Sequence, residues 1–144
     1  GDTSTNNALD DYEEGTFTPT CTYSGGGNAT LSLAKGNYTK VGRMVHCIIA
    51  VTFSAKGGGS GNLLINNLPF TSAGPEEDGL RHVGTMAFLS GFSSLSESPN
   101  LHNGGATTTV TVTQLNSGSN GTGNVTRNNC TDSSSFRASV IFYV

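Results

Sequence analysis

The sequence predicts an all-β protein, an antiparallel β-sandwich of jelly-roll type. Two observations support this fold class. Apolar and polar residues alternate with a period of two along several segments, and glycine-rich connections separate those segments. Many short strands with such punctuation favour a sandwich or jelly roll, because glycine permits the positive φ that tight reversals need. We expect one domain over residues 16–144, preceded by a linker or arm over residues 1–15.

The strongest strand is predicted over residues 43–54. One of its faces is uniformly apolar and is expected to lie in the core: Val45, Cys47, Ile49, Val51 and Phe53. The other face is too apolar near Met44 and Ile48 for a freely solvated surface. We therefore predict that Met44, His46 and Ile48 are covered by another sheet or by another subunit.

Further strands are predicted, in chain order, over residues 16–23, 29–34, 63–68, 81–89, 106–115 and 135–144. Pro69 is expected to end the strand before it, because proline cannot donate a hydrogen bond to a sheet. In the last strand, Phe136 and Phe142 share the core face. In the strand over 106–115, the valines are expected in the core and a ladder of alternating threonines on the solvent face.

Charge and cysteine content limit the function classes. Charged residues make up 12% of the chain, the net charge is -3, and no basic run exists, so a nucleic-acid groove is not expected. No apolar stretch approaches the ~18 residues of a membrane-spanning helix, so membrane insertion is not expected. The chain lacks an initiator Met and a signal-peptide pattern, which is typical of a fragment or a processed chain.

The cysteines are odd in number and widely separated, without a zinc-type spacing. Cys47 is expected to be a small core residue. A disulfide between Cys21 and Cys130 stays an open alternative. The three histidines, His46, His82 and His102, are too scattered to suggest a metal site, although His46 or His82 could approach its symmetry copies in a threefold assembly.

One dense acidic cluster comprises Asp10, Asp11, Glu13 and Glu14. Three interpretations are open: calcium ligands, a carboxylate pair for glycoside cleavage, or a solvated turn anchored by neighbouring aromatic residues. Adjacent side chains of an extended segment point to opposite sides, so the carboxylates do not easily converge, and the solvated turn is favoured. Lys40 and Arg43 are expected to pair with this acidic segment in the same or a neighbouring subunit.

Three segments carry a family resemblance: LDDYEEGTFTP over residues 9–19, YTKVGR over 38–43 and INNLPFTS over 65–72. In this order and spacing they resemble a domain that recurs at the C-terminal end of tail fibres and tailspikes of tailed bacteriophages. The resemblance implies a virion protein that forms a homotrimer and faces the host surface, and not a metabolic enzyme. No residue pattern marks a cofactor or metal site, and calcium binding by the acidic cluster stays an open alternative. Phe17 stands where Trp is more common, and Asn67 stands where Gly is more common.

The implied partners are two sibling copies, upstream fibre or other virion proteins, and a host cell-surface glycan or protein. Receptor contacts are expected in the connections 74–79, 91–105 and 116–129, since loops on a rigid scaffold usually carry binding. The candidate receptor-facing residues are Glu76, Glu77, Asp78, Phe92, Asn100, His102, Asn103, Asn116 and Asn120.

Three other functions are weighed against this one. A monomeric carbohydrate-binding sandwich would use exposed aromatic rings, but the chain has no Trp and Phe92 is the only aromatic residue within a candidate loop. A capsid decoration or head fibre would use the same domain at another position on the particle. A polysaccharide depolymerase would need an acid/base pair or a nucleophile, and no sequence pattern marks one.

Overall fold

The computed structural model describes residues 11–74, 82–115 and 121–144. Ten strands form: β1 Tyr12–Phe17, β2 Thr20–Tyr23, β3 Thr30–Val41, β4 Met44–Ala55, β5 Leu63–Asn66, β6 His82–Ser90, β7 Asn100–Asn103, β8 Val110–Leu115, β9 Thr122–Asn124 and β10 Ser135–Tyr143. A 3-10 turn, Arg127–Asn129, precedes β10. Within the described ranges there is no α-helix, and no helix is long and apolar enough to cross a membrane.

All the strands belong to one sheet, in the order β1-β3-β4-β10-β6-β7-β8-β5-β2, with β9 paired to β8. Every neighbouring pair is antiparallel. The prediction of an antiparallel all-β fold is therefore confirmed. The strands form one continuous, curled sheet, where the sequence suggested the two sheets of a sandwich.

The core lies on the inner face of this curled sheet. The predicted core face of β4 is confirmed, since all five of its residues are buried: Val45, Cys47, Ile49, Val51 and Phe53. The same cluster contains Ile65 of β5 and Val112 of β8, which lie far from β4 in the strand order. The sheet thus curls until its two halves share one core. Each fully buried Ile or Val contributes about 1.5–3 kcal/mol.

Several strand boundaries differ from the predicted ones. The strand predicted over 16–23 is two strands, because Pro19 has no N–H and separates β1 from β2. β1 begins at Tyr12, so residues 12–15, which were predicted as part of a linker, pair with β3 inside the sheet. β3 continues to Val41, well beyond the predicted end at Ala34.

β7 and β9 lie in segments that were predicted as loops. The sequence of β7 contains a single apolar residue, Leu101, so alternation could not reveal it. β7 forms because it fills the gap between β6 and β8. The prediction that the threonine ladder faces solvent is wrong at Thr113. This residue is buried in β8, and its hydroxyl donates to the Asn100 carbonyl at 3.3 Å.

Candidate interaction surfaces

The three sequence segments that carried the resemblance meet in one place. In the β1–β3 pair, Gly15 lies opposite Tyr38 and Phe17 lies opposite Gly36. Each ring covers the glycine across from it, so a Cβ on Gly15 would come within 2.8 Å of the Tyr38 ring. The third segment contributes Phe70, whose ring meets Tyr38 edge-on with the centroids 5.3 Å apart. We call these five residues the aromatic–glycine cluster.

Polar contacts reinforce the same strand pair. The Lys40 Nζ lies 2.5 Å from Asp11 Oδ1, so the predicted pairing of Lys40 with the acidic segment is confirmed within one protomer. The Tyr38 hydroxyl donates to Glu13 Oε1 at 2.5 Å, and this hydrogen bond raises the pKa of Tyr38. Arg43 Nε donates to the main-chain oxygen of Val144 at 2.9 Å.

The described acidic side chains of Asp11 and of β1 therefore have separate partners. Asp11 pairs with Lys40 and Glu13 with Tyr38, while Glu14 accepts from Tyr12 at 2.8 Å, which raises the pKa of Tyr12. No group of three or more His, Cys, Asp or Glu among the described residues is placed to hold a metal ion. Asp11 and Glu13 therefore link this segment to β3, while Glu14 is held by a contact within β1.

The outer face of the sheet, opposite the core, carries a band of exposed apolar side chains. Met44 is 40% exposed and Ile48 is 55% exposed in the single chain. His46 lies between them, half-buried, with Nε2 2.8 Å from the Ser139 hydroxyl. The register extends the band across β10 and β6, because Tyr143 pairs with Met44, Ile141 with His46, and Val83 with Ile141.

We call this surface the apolar band, made of Met44, His46, Ile48, Val83, Ile141 and Tyr143. Its members are adjacent on three neighbouring strands, so the exposed carbon forms a continuous patch. Contiguous apolar patches on a folded surface mark interaction sites more often than scattered apolar residues do. The coverage predicted for Met44, His46 and Ile48 stays a prediction, since one protomer is described.

A groove of about 760 Å³ overlaps the apolar band at Val83 and Ile141 and crosses β10, β6, β7, β8 and β9. Its polar wall contains hydroxyl, amide and imidazole groups, from Thr85, Asn100, His102, Thr113, Asn124 and Ser139. The structure thus brings together two of the predicted receptor-facing residues, Asn100 and His102. Both lie on the outer face of β7, where neither was expected to be in a strand.

The other candidate receptor residues are placed differently. Asn103 is 0% exposed, and its Oδ1 accepts from the Gly105 N–H at 2.6 Å and from the Ser72 hydroxyl at 3.0 Å. Its prediction as a receptor-facing residue is wrong, because β7 turns alternate side chains inward. Phe92 is half-buried and packs near Phe136, with ring centroids 6.3 Å apart. The remaining candidates, Glu76, Glu77, Asp78, Asn116 and Asn120, lie outside the described residues.

The most exposed large apolar side chain of the described residues was not singled out in the sequence. Phe88 of β6 is 73% exposed, and the guanidinium of Arg137 lies over its ring, 5.5 Å from the centroid. Simple alternation would place Phe88 on the inner face with Met86. No sequence signal distinguishes it, because its position depends on an irregularity in strand pairing.

All three cysteines are buried free thiols, so no disulfide joins Cys21 to Cys130. Burial raises the pKa of Cys47 to about 12 and that of Cys130 to about 11. Burial likewise raises the pKa of Cys21. Thiols that stay protonated are poor nucleophiles, so these cysteines act as core residues.

Comparison with solved structures finds this fold within a larger protein. The crystal structure of the Dettilon tailspike protein (gp208) matches 92% of this chain with a TM-score of 0.72 and 19% sequence identity. The fold resembles part of a phage tailspike. The chain spans 24% of the length of that tailspike chain. No family model and no curated protein matches the sequence.

Proposed function

We propose that this chain is a non-enzymatic, C-terminal domain of a phage tail fibre or tailspike, which forms a homotrimer and binds the host surface. The observation that carries this proposal is the likeness to the tailspike fold over nearly the whole chain. The three sequence segments support it independently, since they form the aromatic–glycine cluster that fixes β1 to the sheet. The chain would then reside in the virion, next to upstream fibre or other virion proteins.

The apolar band supports trimer formation. Fully burying an exposed Ile or Val side chain contributes about 1.5–3 kcal/mol, and three identical bands would meet around one axis. Its outward-pointing residues come from β4, β10 and β6, which are neighbours near the middle of the strand order and hold a rigid surface. The His46 imidazoles of the three subunits would then lie at the same interface.

The groove supports host-surface binding. Its side chains are uncharged hydroxyl, amide and apolar groups together with the imidazole of His102. Such groups make adaptable hydrogen bonds to the hydroxyls of a surface glycan. Asn100 and His102 project from the rigid strand β7, which suits a preformed site.

The absence of an enzymatic role is part of the proposal. Asp11, Glu13 and Glu14 each hold a partner within this chain, and the buried thiols are protonated. A depolymerase would instead need two convergent carboxyl groups about 5–9.5 Å apart across a bound sugar.

A labelled preparation of the chain tests the proposed binding. We expect it to bind bacterial cells that carry surface polysaccharide and to release no reducing ends from that polysaccharide. Release of reducing ends would contradict the non-enzymatic role. Equal binding to cells stripped of polysaccharide would direct attention to a protein receptor.

A monomeric carbohydrate-binding domain is the second candidate. The groove supports it as well, because its hydroxyl, amide and imidazole groups suit a sugar whether or not the chain associates. The two candidates differ in oligomeric state. Glycan binding by a chain that stays monomeric at high concentration would support the second candidate.

A further inference from the structure

Phe88 stands on the outer surface in a backbone conformation that is rare for a bulky residue. Its φ is 52°, in the left-handed region that favours glycine. Its side chain is nevertheless 73% exposed, so burial of the ring does not compensate for the strain. Residues held in such conformations without a packing benefit cluster at functional sites.

A β-bulge produces this conformation. Ser90 pairs with Ser135 and Ala87 pairs with Arg137, so two residues of β6 oppose the single residue Phe136. The extra residue reverses the alternation, and the ring that would enter the core turns to the surface. Bulges commonly re-aim a side chain in this way.

Arg137 holds the ring from one side. Its Nη1 donates to the Phe136 carbonyl at 2.9 Å, which fixes the guanidinium, and the guanidinium lies over the Phe88 ring. Most of the Phe88 residue is accessible, since it is 73% exposed. No carboxylate of a described residue pairs with Arg137, since the described ion pair is between Lys40 and Asp11. The described hydrogen bonds of its guanidinium all come from Nη1, which leaves Nε and Nη2 as donors for a ligand.

The residues around the ring have small side chains, and several carry hydroxyl groups. Arg137 is flanked across the sheet by two small residues, Ala50 and Ala87. Ser135 and Ser139 lie on either side of it along β10, facing outward. An exposed ring, a fixed guanidinium and neighbouring hydroxyls are the groups that bind the C–H face and the oxygen atoms of a sugar.

We propose that Phe88 and Arg137 form a saccharide-binding platform. A pyranose ring would stack its C–H face on the exposed ring of Phe88, and the Arg137 donors would bind hydroxyl or carboxylate oxygens of the same glycan chain. The proposal deepens the proposed host-surface function and rests on it, but it names a site outside the groove.

A saccharide fits this platform better than a protein partner does. A stable protein contact buries about 800 Å² on each side. The ring instead projects from small residues, and the hydroxyl row of Ser139 and Thr85 separates it from Val83 and Ile141 of the apolar band. A single stacked ring with a few hydrogen bonds matches the size of one or two sugar units.

The test uses the whole chain, immobilised against a panel of purified bacterial lipopolysaccharides and capsular polysaccharides, with neutral, uronic-acid-containing and carboxyl-reduced members. We expect Phe88→Ala and Phe88→Gly to weaken binding at least about tenfold. Arg137→Met should weaken binding most for the uronic-acid members, and carboxyl reduction should remove that difference. The matched control is Tyr12→Ala, which removes an exposed aromatic ring (55%) from β1, outside both the groove and the apolar band, and should bind as the unsubstituted chain does.

Two further readouts separate binding from structure. Phe88→Gly removes the unfavourable φ, so its melting temperature should stay within about 3 °C of the parent, whereas a packing role would lower it further. Light scattering should give the same mass for every variant.

Three results would overturn the platform. Unchanged glycan binding by both Phe88 variants would remove it and leave the proposed host-surface function intact. A loss of oligomer mass on substitution of Phe88 would assign the ring to a subunit interface. Failure of the unsubstituted chain to bind any panel member would reject both the platform and glycan recognition.

Discussion

The ring of Tyr38 lies flat over Gly15 on the neighbouring strand, directly across the β1–β3 pair. Two residues further along the same pair, the ring of Phe17 covers Gly36 in the reciprocal arrangement. Each glycine is therefore required by the space that a ring occupies. This relationship explains the spacing of Gly15 and Phe17 in the first segment, because they oppose Tyr38 and Gly36 of β3.

Gly15→Ala tests this relationship. The added Cβ would come within 2.8 Å of a Tyr38 ring that Phe70 and Glu13 hold in place, so we expect a loss of about 1–3 kcal/mol in the free energy of unfolding. Urea denaturation measures it. Gly58→Ala is the matched control, because a Cβ there meets nothing within 4 Å and should change stability by less than about 0.5 kcal/mol. Equal effects at the two positions would contradict the packing argument.

Alkaline pH should weaken the β1–β3 pair. The hydrogen bond to Glu13 raises the pKa of Tyr38, so the folded state holds this proton more tightly than the unfolded state does. The stabilisation is therefore complete below the ordinary tyrosine pKa of about 10 and is lost as the pH rises through the folded pKa. Thermal melts across this pH range should show a smaller fall in melting temperature for Tyr38→Phe than for the parent. A parallel loss in both proteins would mean that Tyr38 does not contribute.

The three thiols should not react with thiol reagents in the native protein. Burial raises the pKa of each of them, to about 12 for Cys47 and about 11 for Cys130, so little thiolate exists at neutral pH. We expect a thiol-specific chromogenic reagent to label none of them in buffer and all of them in denaturant. Rapid labelling of one cysteine in buffer would show that its surroundings open readily.

In the proposed trimer, Ile48→Glu should separate the subunits without unfolding them. Ile48 is half-exposed within one chain, so the charge stays in water until a partner covers it, and covering an unpaired charge is costly. Sedimentation should show the mass falling towards that of one chain while the circular dichroism stays constant. Ser54→Glu is the control, as an exposed position on the same face of β4. An intact oligomer in the Ile48 variant would exclude this residue from the interface.

Sequence patterns were sufficient to predict which face of a strand is buried where apolar and polar residues alternate over a long segment. The inner face of β4 followed from alternation alone, since each of its apolar residues meets the core. The pairing of Lys40 with the acidic segment also followed from composition, because few charges are available for either partner. These features depend on local spacing, which a single chain reveals.

Other features depend on contacts distant in sequence. β7 carries one apolar residue and forms because β6 and β8 leave a gap of one strand. Asn103 is buried by the same pairing, and its amide oxygen accepts hydrogen bonds from the Ser72 hydroxyl and the Gly105 N–H. Phe88 points outward because of a bulge opposite Phe136, and a bulge changes the count of residues without changing their pattern.

The mass of the purified chain in solution is the most direct test of the central claim, that two further copies cover the apolar band. Multi-angle light scattering across a concentration series should give three times the 14.8 kDa of one chain. A mass of 14.8 kDa at the highest concentration would contradict the claim and leave Met44, His46 and Ile48 exposed to water.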